Sequence, residues 1–213
     1  MNHSTITVEQ QASVAATLAG MPNIPAGVGS KENACSIAAI NLALSGKLTD
    51  EIPDCMSLVI GKWIIKIQDS APADLRNSER WRRLLLPLAA GTGRGREAER
   101  SSVALEWMWS AVLPQLQPLA DRHGFGELWR KMSDLRTRAA AYAATSAAAA
   151  SAAYAADASA ASAADAAASA AYAATSAAAS YADAAAADAD FWHSVDPCGC
   201  LERMINLPEG DRK

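Results

Sequence analysis

The residues best suited to chemistry lie in Gly91-Thr92-Gly93-Arg94-Gly95-Arg96, just ahead of a predicted helix. Backbone N–H groups at a helix start, joined by two guanidinium groups, are what holds a phosphate or carboxylate. Thr92, Gly93, Arg94 and Arg96 are therefore candidate anion-binding residues. The run is not a nucleotide-binding P-loop, which carries a lysine after its last glycine, and no strand leads into it. The simpler reading is a loop between helices. Gly27-Val28-Gly29-Ser30-Lys31 forms a second candidate cradle at a helix start, with Ser30 and Lys31 as its polar members.

Other groupings carry less. His193, Cys198 and Cys200 offer three ligands close together, but structural zinc asks for cysteines about two to four residues apart and for a second pair. Unliganded thiols, with no metal and no cofactor, are the expectation. His123 stands between Asp121 and Glu127 in what reads as a helix-ending turn, where the helix dipole alone favours a histidine. No catalytic residue is assigned, and an enzyme is not expected. Arg76, Arg80, Arg82, Arg83, Arg94, Arg96 and Arg100 gather in one stretch around Trp81. Two partners suit them, a phosphate-bearing ligand or an acidic tract later in the chain. Trp63, Trp81, Trp107, Trp109 and Trp129 read as core and interface anchors.

The elements that must position these residues read as helices throughout. The chain has 213 residues, a net charge of −4 and 51% hydrophobic residues, nearly half of them alanine. An alanine buries little apolar area. This length supports one or two domains with a core. The negative balance argues against nucleic-acid binding by bulk electrostatics. Nearly all Lys and Arg precede Ala139, and between Ala139 and Cys200 the only charged side chains are Asp. The first residues lack a basic start followed by an apolar run. No segment has the roughly 18–20 strongly apolar residues of a membrane span. Four scattered cysteines suit reduced thiols, so a cytoplasmic location without membrane contact is expected.

The pattern divides the chain into four segments. Residues 1–29 hold a helix around Thr7–Leu18 and a Gly/Pro-rich linker. Residues 30–138 form a helical globular domain. In it Ser30 caps the first helix and Gly46 closes it, and Asp50 caps the next with Pro53 in its first turn. Met56, Val59, Ile60, Trp63, Ile64 and Ile67 recur at helical spacing as a core stripe. A short helix over 77–86 should stop at Pro87. Another starts at Arg96 and carries Val103, Trp107 and Ala111, and Pro114 and Pro118 should kink or segment the stretch beyond it. A further helix begins near Glu127.

Residues 139–190 are an alanine-rich tract, in which AAYAATSAAA occurs at 140–149 and again at 170–179. Alanine is the strongest helix former, so a helix or helical hairpin is expected. As one rod the tract would span roughly 78 Å, and Thr145-Ser146 and Thr175-Ser176 are the natural breaks. Ser162, Asp165, Ser169, Tyr172, Ser176, Ser180 and Asp183 share one face. The remaining alanines let helices approach closely along a long seam. Tyr142, Tyr154, Tyr172, Tyr181 and Trp192 are the candidate helix-packing residues, and a homo-oligomer is expected. Residues 191–213 return large apolar residues in a last short helix and tail. The fold class is all-α, an N-terminal helical domain followed by an alanine-rich helix or hairpin packed as a bundle.

Three runs, ACSIAAINLALSGKLTDEIPDCMSLVIGKWIIKIQDS, RNSERWRRLLLPLAAGTG and VLPQLQPLADRHGFGELW, with DFW…DPC…LER at 190–203, resemble a family of alanine-rich phage and prophage proteins. Those relatives punctuate their alanines with Arg and Glu, whereas this tract uses Ser, Asp and Tyr. The resemblance brings no activity and no catalytic residues. It implies an accessory protein that binds, blocks or sequesters a host protein or a small phosphate-bearing signal, in a counter-defence role. The alternative is an assembly protein whose alanine helices form an oligomeric bundle.

Overall fold

The computed structural model describes residues 6–122, 124–136, 139–140, 143–144 and 189–207. Every regular element among them is helical, and their one β pairing is an isolated bridge between Gly29 and Ala34. The class is all-α, as expected. None of the described helices is long and apolar enough to cross a membrane. The chain divides into two units, Met1–Ala104 with Asp196–Lys213, and Leu105–Val195.

Unit 1 opens with α1, Val8–Gly20. Its start is a capping box: Thr7 Oγ1 accepts from the Gln10 N–H at 3.2 Å, and Gln10 Oε1 accepts from the Thr7 N–H at 2.9 Å. Helix α2, Ser36–Ser45, ends as expected, with Gly46 left-handed at φ 71° and its N–H bonded to the Leu42 carbonyl. Its start is a correction. Ser30 does not cap it; the cap is Cys35, whose Sγ accepts from the Ala38 N–H at 3.4 Å. Residues 28–35 close a tight turn instead. Gly29 has φ 76°, and a Cβ there would lie 2.1 Å from the Asn33 carbonyl oxygen, so only glycine fits.

Helix α3, Leu58–Ser70, also starts later than the sequence suggests, with Ser57 rather than Asp50 as its cap. Pro53 belongs to the turn before it, where its carbonyl accepts from the Met56 N–H at 3.0 Å. The predicted stripe holds: Met56, Ile60, Ile64 and Ile67 are buried, and Val59 and Trp63 are half-buried. After α4, Ala73–Asn77, the chain enters a wide-turn segment π1, Arg80–Leu85, and runs on as α5, Leu86–Ala90. Pro87 therefore does not stop the helix. A proline inside a helix lacks an N–H and crowds the carbonyl four residues back. Here the turn ahead of it is widened, so that the Leu86 N–H bonds to the Trp81 carbonyl five residues back.

The same solution recurs before Pro114. Helix α6, Glu97–Trp107, passes into a second wide segment π2, Met108–Val112, whose closing bond runs from the Leu113 N–H to the Met108 carbonyl. Helix α7, Leu113–Arg122, then continues through both prolines. The boundary between the units falls within α6. In unit 2, α8, Gly126–Leu135, packs on α7, and α9, Ala189–Val195, packs on α7 and π2. Trp129 Nε1 donates to the Leu113 carbonyl at 3.1 Å, and Trp107 Nε1 to the Val195 carbonyl at 2.5 Å. Each of these buried indole N–H groups thus has an acceptor.

Unit 1 is completed by α10, Pro197–Ile205, which packs on π1 and α3. It buries Cys198, Cys200, Leu201 and Met204. Of the alanine-rich tract, 139–140, 143–144 and 189–190 are described and helical, with Ala144 buried. Tyr142, Tyr154, Tyr172, Tyr181, the repeated segment and the Ser/Asp/Tyr face lie outside the described residues.

Candidate functional site

The glycine-arginine loop is the place to test for an anion site, because a ligand needs its N–H groups and guanidiniums free. Several of them are engaged within the fold. The Gly93 N–H donates to the Cys55 carbonyl at 2.7 Å, and the Thr92 N–H to the Ala89 carbonyl at 3.2 Å. Thr92 Oγ1 donates to the Ala89 carbonyl at 2.7 Å and accepts from the Ser57 N–H at 3.1 Å. Arg94 pairs with Asp54 at 3.0 Å and donates to the Ile52 carbonyl at 3.3 Å. Arg96 pairs with Glu99 and reaches the Leu207 carbonyl, both at 3.3 Å. The loop is a clasp that fastens the 52–57 segment to the start of α6.

An anion does sit at a helix start here, and it is the chain's own. The Glu97 carboxylate accepts from Ser57 Oγ at 2.7 Å, from the Leu58 N–H at 3.2 Å and from the Val59 N–H at 3.0 Å. It meets the N-terminal N–H groups of α3, where the helix dipole favours negative charge. Beside it Arg100, only 4% exposed, donates to the carbonyls of Thr92 and Gly93, each at 2.8 Å, and of Met204 at 3.4 Å. Burial pushes the Arg100 pKa down, and the charge of Glu97 works against that. Sequence reasoning found neither role, since no local pattern links residue 97 to a helix start some forty positions earlier.

Glu97→Gln should cost unit 1 about 1 kcal/mol, because two N–H groups of α3 lose a charged acceptor. Thermal melting of the variant tests this; a melting temperature equal to wild type would remove the cap from the account.

Ser30 and Lys31, the second candidate cradle, lie exposed in the 28–35 turn. The Ser30 and Asn33 backbones exchange hydrogen bonds at 3.1 and 3.2 Å, the Cys35 N–H reaches the Val28 carbonyl at 3.0 Å, and Ser30 Oγ donates to Glu32 at 2.9 Å. These bonds close the turn on itself, and its members are not the partners of the 91–96 loop.

Within the described residues the arginine cluster finds partners of a third kind. Arg76 donates to the Gln68 and Ala71 carbonyls at the end of α3, at 3.2 and 2.9 Å. Arg82 donates to the Leu18 and Met21 carbonyls at the end of α1, and its burial lowers its pKa. Arg80 bridges Asp196 at 3.0 Å and Glu202 at 2.7 Å, and the Glu202 bond raises its pKa. Arg83 faces Glu79 at 3.8 Å on the surface, a weak pair. Helix carbonyl ends and nearby carboxylates are the partners found among the described residues.

Compared with protein-family models, curated proteins and solved structures, the chain matches none. Its chemistry must be read from its own side chains.

The remaining candidates are structural in their surroundings. Cys35, Cys55, Cys198 and Cys200 are buried free thiols. Burial pushes all four upward in pKa, Cys200 to about 12, which leaves too little thiolate for nucleophilic attack. His193 is exposed on α9 in unit 2, whereas Cys198 and Cys200 are buried in α10 of unit 1. No group of three metal-capable side chains occurs among the described residues. His123 lies outside them, and its neighbour Asp121 is held by Gln117 at 2.9 Å and Arg130 at 3.2 Å. Trp192 is buried within unit 2, its ring edge-on to Phe191 at 5.6 Å. That placement makes it an intrachain packing residue.

Proposed function

We propose that the protein is a non-enzymatic accessory protein of phage type that acts by binding another macromolecule and self-associates through its alanine-rich tract. The observation that carries this reading is the engagement of Thr92, Gly93, Arg94, Arg96 and Arg100 inside unit 1. With many of those donors used inside the unit, a protein partner is the reading favoured over sequestration of a small phosphate-bearing signal at this loop. Large apolar side chains left in solvent point the same way. Leu84 and Leu88, 57% and 44% exposed and one turn apart on π1 and α5, are suited to contact with another chain rather than with a charged ligand. For the tract, the support is its composition, alanine with Asp as the only charge, which favours long close-packed seams between helices.

Native mass spectrometry of the gently purified protein tests both halves. The expected species is an oligomer without a phosphate-containing adduct. In the double variant Arg94→Ala/Arg96→Ala the same oligomer is expected, with a melting temperature lowered by a few degrees because the clasp is weakened. A co-purified phosphate compound that disappears in the double variant would overturn the reading in favour of sequestration, and a wild-type monomer would remove self-association.

A further inference from the structure

We propose that α10 is a flap of unit 1, which opens as one body on Asp196 as its hinge while the rest of the unit stays folded, with Arg80 as the catch that keeps it shut. Unit 1 runs to Ala104 and regains the chain only at Asp196, so side-chain contacts rather than a preceding element of the unit hold α10 in place. Cys198, Cys200, Leu201 and Met204 are buried where α10 packs on π1 and α3. Its polar ties include two long bonds, from Arg100 to the Met204 carbonyl at 3.4 Å and from Arg96 to the Leu207 carbonyl at 3.3 Å.

The hinge is strained and the catch holds it. Asp196 is left-handed, at φ 41° and ψ 68°. Aspartate enters that region more easily than most residues, but a following proline favours an extended predecessor, and Pro197 follows. A residue keeps such a conformation only where its surroundings fix it. Here Asp196 Oδ1 accepts from the Gly199 N–H and from Arg80 Nη1, each at 3.0 Å. A Cβ on Gly199 would lie 2.1 Å from Asp196 Oδ2, so glycine is required for the carboxylate to fold over the first turn. Arg80 Nη2 reaches Glu202 in the next turn at 2.7 Å, and one guanidinium therefore fastens both turns. These side chains are 44%, 55% and 51% exposed, so salt screens the catch as it cannot screen a buried pair.

The rest of unit 1 is closed by bonds that involve no residue of α10. Arg82 ties π1 to the end of α1, Gln68 ties α3 to the start of α2, Glu97 ties α6 to the start of α3, and the Gly93 N–H joins the Cys55 carbonyl. Opening α10 leaves every one of these in place. Partial opening of this kind costs less than unfolding the whole unit. The flap is independent of whether the protein acts by binding another macromolecule.

Pulsed alkylation of the full chain with iodoacetamide, read thiol by thiol by mass spectrometry, tests the flap. Each rate is divided by that of the same thiol in the urea-unfolded chain. Cys200 is the primary readout, because the charge of Arg80 acts directly on Cys198, and buried Cys35 at the start of α2 is the internal control. Where closing outpaces alkylation, the rate follows the open population. Cys198 and Cys200 should react together and about tenfold or more faster than Cys35. Arg80→Met should speed Cys200 about fivefold and leave Cys35 unchanged, and raising NaCl to about 0.5 M should speed Cys200 in the wild type but not in the variant. Glu202→Gln, which removes one arm of the catch, should speed it about twofold and serves if Arg80→Met does not fold. One common rate for Cys35 and Cys200 would overturn the flap, since unit 1 would then open only as a whole. A Cys200 rate unmoved by these substitutions and by salt would overturn the catch.

Discussion

Trp81→Ala should lower the stability of unit 1 by about 3–5 kcal/mol, the largest single effect expected in this protein. Trp81 is the bulkiest of the fully buried side chains, at 0% exposure, and lies on π1 where that segment meets α1 and α10. Its ring centroid is 6.1 Å from that of Trp63, and its Nε1 donates to Ser36 Oγ at 3.3 Å. Truncation leaves a cavity in a close-packed interior and strands the hydroxyl of a fully buried serine. Small domains hold only about 5–15 kcal/mol in total, so the variant sits near the edge of folding. Urea unfolding followed by circular dichroism measures the loss. Trp81→Phe separates its two parts, since it keeps most of the apolar volume and removes the donor. A Trp81→Ala loss below about 1 kcal/mol would mean that the centre of unit 1 is elsewhere.

Arg100→Met should cost about 3 kcal/mol although it replaces a charge by an apolar chain of similar length. The guanidinium joins three carbonyls, two in the 91–96 loop and one in α10, and all three lose their donor together. An unmatched buried carbonyl is costly, whereas the apolar replacement recovers only packing. Arg100→Lys should rescue little, because one ammonium cannot reproduce the planar fork that reaches separated acceptors. Hydrogen exchange provides the second readout. Amides of α10 and of the loop should lose protection together, ahead of those in unit 2. Unchanged protection in α10 would show that Arg100 does not hold it.

Much of the fold was legible because the signals are local. The stripe from Met56 to Ile67 needs only helical spacing to be read as core, and it is buried as read. Gly46 ends α2 because a left-handed residue is required there, a condition glycine meets without strain. The departures have a common source. Ser30 and Asp50 are good caps by type, yet α2 and α3 start several residues later, where partners distant in sequence complete their first turns. The Ser36 N–H is taken by Gln68 Oε1 at 2.7 Å, and the starting N–H groups of α3 are taken by Glu97. Pro87 is a stop signal by type, but a widened turn before it leaves the carbonyl ladder room to continue.

The candidate site divides in the same way. Glycines, arginines and a threonine ahead of a helix are a valid sign of donors converging on an anion, and an anion is present at a nearby helix start. Its identity as Glu97, and the use of Arg94, Arg96 and Arg100 on carbonyls and carboxylates of the same unit, depend on chain segments some forty to a hundred residues apart. Composition and spacing by themselves determined the helical class, the core stripe and the break between a mixed front half and an alanine-rich tract, because backbone propensity and periodicity act over a few residues. Only the tertiary structure decided which polar groups remain free for a ligand, because a donor's availability is set by whatever acceptor the rest of the chain brings within about 3 Å of it.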